Sequence, residues 1–249
     1  PLVIFEAITT WYPNLHSAGK LILAQENIDC ELAKDGQAIH KSIQIDPAEI
    51  TLKIEDMRAD WGQELADPVN FSMRRGDTLV INGKSGSGTS TLAMGSSGLL
   101  EYTGLCTIND VHVRDIGNLP ELLTGALQQS HIFATTWREN LKLANPDATD
   151  AQLLSVLRLV ELDEISLDEM LGQMGRALSG GEAKRLAVAR ALLSSASIVV
   201  LDEPTEHLDS QRAQRIEDAI IEACRERILI VITHSGWLNV GQRVTLARE

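Results

Sequence analysis

Short stretches of the chain alternate strictly between apolar and polar residues, which is the pattern of a strand with one buried face. In residues 50–55, Ile50, Leu52 and Ile54 share one face, and polar side chains occupy the other. Residues 69–73 alternate in the same way. Because alternation of this kind is typical of antiparallel sheets, the two stretches predict a small β-subdomain.

Three apolar runs without alternation predict strands that are buried on both faces, as in a parallel sheet. Apolar residues at helical spacing occupy much of the chain around these runs. The apolar runs are residues 78–82, 198–201 and 228–233, and the predicted helices are 136–143, 150–162, 181–193 and 210–224. Apolar strands interleaved with helices predict an α/β fold built on a parallel sheet.

The first part of the chain has a different character. Residues 1–33 begin with an apolar stretch, continue with Trp11 and Tyr12, and then place apolar residues at near-helical spacing. An aromatic pair between apolar and polar halves is typical of a membrane interface. An amphipathic helix that packs on its own domain fits the same pattern, and Pro13 would kink either helix. Residues 34–49 are predicted to be a polar connector.

Composition narrows the class of protein. The 249 residues carry a formal net charge of -13 and have a pI near 4.9. A nucleic-acid surface needs a basic footprint, so no nucleic-acid partner is expected. The three cysteines lack metal-ligand spacing, which indicates free thiols in a reducing compartment. No apolar stretch is long enough to span a bilayer, and the start at Pro1 suggests a fragment of a longer protein.

A glycine- and serine-rich loop, GKSGSGTST, occupies residues 83–91 and directly follows the 78–82 run. Gly83, Gly86 and Gly88 allow the backbone to turn so that several N–H groups converge on one anion. A loop of this kind between a strand and a helix predicts a phosphate-binding site.

The loop matches the phosphate-binding pattern G-x-x-x-x-G-K-[ST] at both glycines and at Ser90, but Thr89 stands where the pattern has lysine. That lysine normally lies against the β- and γ-phosphates. A charge-assisted hydrogen bond contributes about 1.5–3 kcal/mol, so its loss predicts roughly 10- to 100-fold weaker ATP binding. Lys84 lies in the same loop at a position whose side chain should point elsewhere.

Other interpretations of the loop fit less well. A dinucleotide-binding pattern G-x-G-x-x-G that starts at Gly86 would need glycine at Thr91. A nucleophile elbow G-x-S-x-G would need glycine at Ser87. A plain surface turn fits the loop in isolation, and the acidic strand end described next argues against it.

Two carboxylates follow the apolar run 198–201, at Asp202 and Glu203. At the end of a buried strand, Asp202 is predicted to bind Mg²⁺ together with Ser90. Glu203 is the candidate general base that polarises the attacking water. His234 follows the 228–233 run and is predicted to donate a hydrogen bond to a γ-phosphate. A strand end that merely breaks at Pro204 is the alternative when the acidic pair is taken alone.

The stretch from Leu178 to Glu182 reads LSGGE and opens a helix. The first N–H groups of a helix lack partners and lie at the positive end of its dipole, so this start predicts an anion site.

The order of glycine loop, LSGG helix, buried strand and Asp-Glu resembles the ATP-binding cassette (ABC) family over roughly residues 50–248. The resemblance implies a P-loop NTPase with a parallel core sheet, an antiparallel β-subdomain and an α-helical signature subdomain, preceded by an N-terminal helix. It implies ATP and Mg²⁺ as ligands. The nucleotide-binding residues would be Trp61, Gly83, Ser85, Gly86, Ser87, Gly88, Thr89, Ser90 and Thr91.

The resemblance also assigns roles outside the loop. Gln128 corresponds to the glutamine that contacts Mg²⁺ and the attacking water, and Trp61 to the aromatic that stacks on adenine, although a core tryptophan fits Trp61 equally. Asp209 corresponds to the acid of the D-loop. Two such domains pair head to tail, and the signature of one completes the ATP site of the other. The signature residues here are Leu178, Ser179, Gly180, Gly181 and Glu182.

Local similarity at residues 133–150 and 201–209 is to exporter-type chains, most closely to the CydC-type subunits of heterodimeric exporters of cysteine and glutathione. This implies thiol export for cytochrome bd assembly, a second half-transporter as partner, and a place at the cytoplasmic face of a bacterial inner membrane. Residues 1–33 would then be the cytoplasmic end of the last transmembrane helix of its own membrane domain, 34–49 a linker, and 50–249 the nucleotide-binding domain.

Three departures from the family pattern bear on function: Thr89, Gln129 where such chains often have aspartate, and Gln173 where they often have glutamate. The first predicts a weakened ATP site and keeps a second hypothesis open, a non-catalytic regulatory half of a heterodimeric transporter. The other two bear on coupling contacts. A soluble ABC protein that acts on DNA or ribosomes is disfavoured, because the 128–178 interval is too short for a coiled-coil insertion.

Overall fold

The computed structural model describes residues 43–59, 68–83, 102–127, 131–172, 175–234, 237 and 241–246. The chain divides into two compact units, Pro1–Lys41 and Ser42–Glu249. The first unit lies outside the described residues, so the N-terminal helix and the predicted boundaries at 33 and 49 stay predictions. None of the described helices is long and apolar enough to cross a membrane.

The alternating stretches form the predicted antiparallel sheet. Its strands are ordered β2-β1-β4-β5, and neighbours pair antiparallel. Leu52 lies opposite Met73 and Ile108, so the apolar positions of neighbouring strands share one buried face. The strands are β1 (Thr51–Ala59), β2 (Val69–Arg74), β4 (Tyr102–Ile108) and β5 (Val111–His112).

The apolar runs form a second sheet in which every pair of neighbouring strands is parallel. Its order is β6-β7-β8-β3-β9, so β8 lies between β7 and β3. All residues of β7 and β8 are buried, as their uninterrupted apolar sequence predicted. The strands are β3 (Thr78–Gly83), β6 (Leu123–Ala126), β7 (Ile198–Asp202), β8 (Ile228–Thr233) and β9 (Gln242–Leu246).

Helices fill the interval between β6 and β7 and the connection from β7 to β8. Three of them, α2, α3 and α4, contact one another around the buried Trp137, Leu153 and Leu186. This is the predicted helical subdomain, and it contains the LSGG stretch. The helices are α1 (Leu119–Leu122), α2 (Trp137–Lys142), α3 (Asp150–Leu159), α4 (Gly180–Leu193) and α5 (Ser210–Ala223).

Arg190 of α4 joins this subdomain to the segment that follows β6. Its guanidinium donates to the carbonyl oxygens of Asn140 (2.8 Å) and His131 (2.7 Å) and also contacts the Asn140 side chain. Burial lowers the pKa of Arg190 from its usual range. Because Asn140 is fully buried and its amide also binds the backbone of Phe133, this polar cluster fixes the start of α2.

One helix is shorter than the pattern predicts. The helix predicted for residues 150–162 ends at Leu159, because Glu161 adopts a left-handed φ of 53° and the N–H of Leu162 turns back to the carbonyl of Leu157 at 2.9 Å. A left-handed residue of this kind terminates many helices. Within the predicted connector, Ile43 bridges to Ile116, and the side chain of Asn118 binds the backbone of the buried Ile45.

Candidate functional site

Three parallel strands bring their carboxyl ends to one edge of the sheet. Asn82 of β3 lies opposite Thr233 of β8, and Asp202 of β7 lies opposite Ile232. Ligands of α/β proteins bind outside this edge of the sheet. The glycine-rich loop leaves β3 here at Gly83, and its remaining predicted contacts, from Ser85 to Thr91, lie outside the described residues.

Asp202 is the predicted magnesium ligand at this edge, and only 2% of its surface is exposed to solvent. Magnesium in nucleotide sites is held by one or two carboxylates together with substrate phosphates, so a single buried carboxylate at a strand end fits such an ion. Within the part of the chain that the structure describes, no group of three His, Cys, Asp or Glu residues forms a metal site independent of a nucleotide. The other predicted ligands, Ser90 and Gln128, and the predicted adenine contact Trp61 lie outside that part.

Glu203 adopts a left-handed backbone conformation with φ 51° directly after β7. Its N–H donates to the carbonyl of Ile232 at 2.8 Å, so the chain stays attached to β8 through this turn. The hydroxyl of Thr233 donates to Oε2 at 3.1 Å, and the N–H of His234 donates to Oε1 at 2.9 Å. These bonds direct the carboxylate toward the end of β8.

The imidazole of His234 also contacts this carboxylate, with Nδ1 at 2.6 Å from Oε1 of Glu203. An ionised carboxylate only accepts, so Nδ1 carries the hydrogen of this bond. The pattern placed both residues at strand ends, and their direct contact was not predicted. Their separate roles, as base and as γ-phosphate donor, stay predictions.

The hydrogen bond to Glu203, and then the charge of its carboxylate, raise the pKa of His234 above its ordinary value. Because the pKa of His234 is higher in the folded than in the unfolded chain, its pair with Glu203 contributes to the free energy of unfolding. This contribution is complete below the unfolded-state pKa, at about pH 6.5. This contribution is lost as the pH rises through the folded-state pKa.

We expect NMR titration of the 249-residue chain to give His234 a pKa above about 6.5. Glu203→Gln keeps an oxygen acceptor but removes the charge, so the pKa of His234 should fall toward its ordinary value. His234→Gln assigns the resonance, and Glu222→Gln, an exposed acid on α5, is the control that should leave the titration unchanged. An unaltered His234 titration in Glu203→Gln would show that the contact does not exist in solution.

The LSGG stretch forms the predicted helix start, with Ser179 as the N-cap of α4 and Leu178 half-buried just before it. Ser179 and Glu182 form a capping box, in which the Ser179 hydroxyl accepts from the Glu182 N–H (3.3 Å) and the Ser179 N–H donates to the Glu182 carboxylate (2.9 Å). Burial raises the pKa of Glu182, but the two bonds from Ser179 and the charges of Arg176 and Arg185 outweigh it and leave that pKa lowered. Arg176 also forms an ion pair with Glu182.

The two glycines of the signature lie at the first positions of α4. Gly180 is exposed, and a Cβ built there would meet nothing within 4 Å. A Cβ at Gly181 would lie 3.3 Å from the Arg185 side chain. Neither N–H has a partner among the described residues, as expected for the start of a helix. The fold of this chain therefore does not require glycine at 180, and the position remains accessible to a ligand.

Asp209 is the N-cap of α5 and accepts from the N–H groups of Gln211 (3.2 Å) and Arg212 (3.0 Å). The Arg212 bond is the main cause of a lowered Asp209 pKa. Arg212 and Arg215 bind the Glu161 carboxylate at 2.8 and 2.6 Å, so α5 is attached to the end of α3. The predicted D-loop acid thus has a structural role in this chain.

Comparison with known proteins agrees with this arrangement. The family model described as ABC transporter matches residues 66–206. The glutathione/L-cysteine transport system ATP-binding/permease protein CydD of Escherichia coli (strain K12) is 35% identical over 197 residues, covering 74% of this chain and 33% of the relative. CydC of the same system and strain is 33% identical over 195 residues, covering 74% and 34%. The chain spans about a third of the length of these relatives.

A solved structure shares the fold. An ATP-binding protein of Pyrococcus furiosus assigned to the ABC transporters superposes with a TM-score of 0.69 at 20% identity, covering 79% of this chain and 97% of that chain. The parallel sheet, the antiparallel sheet and the helical subdomain are the parts that the resemblance implied. This chain belongs to the ABC transporter family and contains its ATP-binding domain.

Proposed function

We propose that the chain is the ATP-hydrolysing domain of an exporter subunit that works as one half of a head-to-tail pair. The observation that carries the proposal is the contact between Glu203 and His234 at 2.6 Å, at the sheet edge from which the glycine-rich loop starts. A carboxylate held in this position can accept the proton of a water that attacks the γ-phosphate.

The other residues of the edge have supporting roles. The glycine-rich loop holds the phosphates, and Asp202, with Ser90 and Gln128, would hold Mg²⁺, which neutralises charge on the phosphates. Thr233 and the N–H of His234 keep the Glu203 carboxylate in one orientation. His234 donates from Nδ1 to this carboxylate, which leaves Nε2 as the ring atom that can approach the nucleotide.

The signature helix serves the partner's nucleotide. Its support is the exposed start of α4, where the N–H groups of Gly180 and Gly181 have no partner among the described residues and Gly180 is not required by packing. A phosphate of the nucleotide bound to the partner chain would replace the water that occupies this helix start in an isolated chain. Lys184 of α4 lies 3.8 Å from Glu206, which connects this helix to the turn after Glu203.

The names of the relatives support a finer proposal, the export of thiols such as cysteine and glutathione. Cytochrome bd assembly remains the predicted purpose, and a second half-transporter the predicted partner. In this proposal residues 1–33 end the last transmembrane helix, 34–49 link it, and 50–249 lie at the cytoplasmic face of a bacterial inner membrane. CydD and CydC match this chain at 35% and 33% identity, so the assignment to one subunit of the pair rests on local motifs.

Thr89 favours a second candidate, a non-catalytic regulatory half that binds ATP without turnover. Loss of the loop lysine weakens both nucleotide binding and charge stabilisation on the transferred phosphoryl group. The intact Asp202, Glu203 and His234 at the sheet edge favour hydrolysis instead.

Gly180→Asp separates the function of the signature from its fold. An acidic side chain in the first turn interacts favourably with the helix dipole, so the free energy of unfolding should stay equal or rise by about 0.3–1 kcal/mol. The same charge opposes a phosphate, so ATP-dependent pairing of two chains should weaken roughly three- to fivefold, equivalent to about 0.7–1 kcal/mol. Analytical ultracentrifugation with and without Mg-ATP measures the pairing.

Gly180→Ala is the matched control, because it adds the same Cβ without the charge. It should retain nearly all of the ATP-dependent pairing. If Gly180→Asp pairs as strongly as the parent chain, the signature does not contact the partner's nucleotide.

A further inference from the structure

A buried acid outside the predicted site lies on α5. Glu217 is 4% exposed and stands beside the buried Ile216 and one turn before the buried Ile220, on the face of the helix that packs against the core. Burial raises the pKa of its carboxyl, and hydrogen bonds from Trp237 and Thr205 oppose that rise. An acid in this position needs partners, because an unpaired buried carboxylate is costly.

Its two oxygens bind two different segments of the chain. The hydroxyl of Thr205 donates to Oε1 at 3.2 Å, and the backbone N–H of Trp237 donates to Oε2 at 3.2 Å. Thr205 lies two residues after Glu203, and Trp237 lies three residues after His234. One carboxyl group therefore joins the segment that follows β7 to the segment that follows β8.

Both segments have backbone conformations that need support. Glu203 and Trp237 have positive φ angles of 51° and 54°, which non-glycine residues rarely adopt. Such conformations persist where surrounding contacts determine them. The indole of Trp237 is 1% exposed within the core, so its backbone is anchored there as well as at Glu217.

We propose that Glu217 is a positioning residue that holds the two segments together, so that Glu203 and His234 remain in contact. The inference rests on the proposed function, in which that contact orients the general base. Glu217 does not reach the nucleotide in this role and acts only through Thr205 and Trp237. A displacement of about 1 Å at a reacting group can cost on the order of 100-fold in rate.

The test compares Glu217→Met with Glu217→Gln. Methionine has a similar length but no oxygen, so the N–H of Trp237 and the hydroxyl of Thr205 both lose this acceptor. Glutamine can keep both contacts, since its amide oxygen accepts from Trp237 and its amide nitrogen donates to the Thr205 hydroxyl. Asp218→Asn, at an exposed neighbour on the same helix, is the control.

Two readouts distinguish positioning from mere stability. In Glu217→Met the pKa of His234, followed by NMR, should fall toward its ordinary value, and kcat for ATP should drop about 10- to 100-fold with little change in KM. Glu217→Gln and Asp218→Asn should keep both properties. A lower unfolding temperature with the His234 titration and kcat unchanged would overturn the proposal.

Thr205→Val provides a second variant should Glu217→Met fail to fold. It removes one of the two bonds and preserves the side-chain volume, so it should shift the His234 titration in the same direction by a smaller amount. An unshifted titration in every folded variant would overturn the proposal. Absence of ATP hydrolysis in the assembled head-to-tail pair would instead contradict the proposed function, and the His234 titration would still decide the role of Glu217.

Discussion

Replacing Glu203 by glutamine should lower ATP hydrolysis at this chain's own site about 10²- to 10⁴-fold, the usual contribution of a positioned general base. Glutamine retains one oxygen, which can replace Oε1 and accept from the N–H of His234, and its amide nitrogen in place of Oε2 can donate to the Thr233 hydroxyl, so the turn after β7 should keep its conformation. An amide does not accept the proton of an attacking water. Phosphate release from Mg-ATP measures the loss, and ATP binding should remain close to that of the parent.

The matched control is Glu222→Gln, which makes the same chemical change at an exposed position of α5. It should leave hydrolysis and unfolding temperature unaltered. Undiminished turnover in Glu203→Gln would instead support the regulatory half, in which the partner's site performs all hydrolysis.

The position of Asp202 and Glu203 at the end of a buried strand could be predicted because the signal is local. A run of apolar residues followed by Asp202 and Glu203 identifies a buried strand and its carboxyl end within a few positions. The capping box of Ser179 and Glu182 is equally local, since the S-x-x-E spacing determines which side chain meets which N–H group.

The contacts between these elements could not be predicted. Glu203 and His234 meet only because β7 pairs with β8, with Asp202 opposite Ile232. Both strands are buried on both faces, so neither has the alternation that would set a register. Glu217 has a weaker signal, an acid between two isoleucines on the apolar face of α5, and its two partners lie 12 and 20 positions away.

Strand β6 could not be predicted from the pattern of apolar residues. It includes Gly125, and a glycine inside a strand usually indicates a weak or interrupted strand. The structure explains the residue, because a Cβ at Gly125 would lie 2.8 Å from the carbonyl oxygen of Val200 in β7. A close approach of two backbones selects this glycine, and the sequence alone does not reveal that approach.

Thr89→Lys should tighten ATP binding by roughly 10- to 100-fold, because one charge-assisted hydrogen bond to a phosphate contributes about 1.5–3 kcal/mol. The prediction depends on the position of Thr89 within the GKSGSGTST loop, where the phosphate-binding pattern has lysine. Turnover should rise at least as much, since charge accumulates on the transferred phosphoryl group. Titration with a fluorescent ATP analogue measures affinity, and phosphate release measures turnover.

Thr89→Met is the matched control, because it adds length without charge and should leave affinity close to that of the parent chain. Lys84→Ala tests whether the neighbouring lysine already supplies the missing cation. If it does, Lys84→Ala will weaken binding in the parent chain and Thr89→Lys will add little. A gain from Thr89→Lys that Thr89→Met lacks, together with a silent Lys84→Ala, would identify the absent charge as the factor that limits this site. Asp202, Glu203 and His234 would then act on a nucleotide that the natural loop holds weakly.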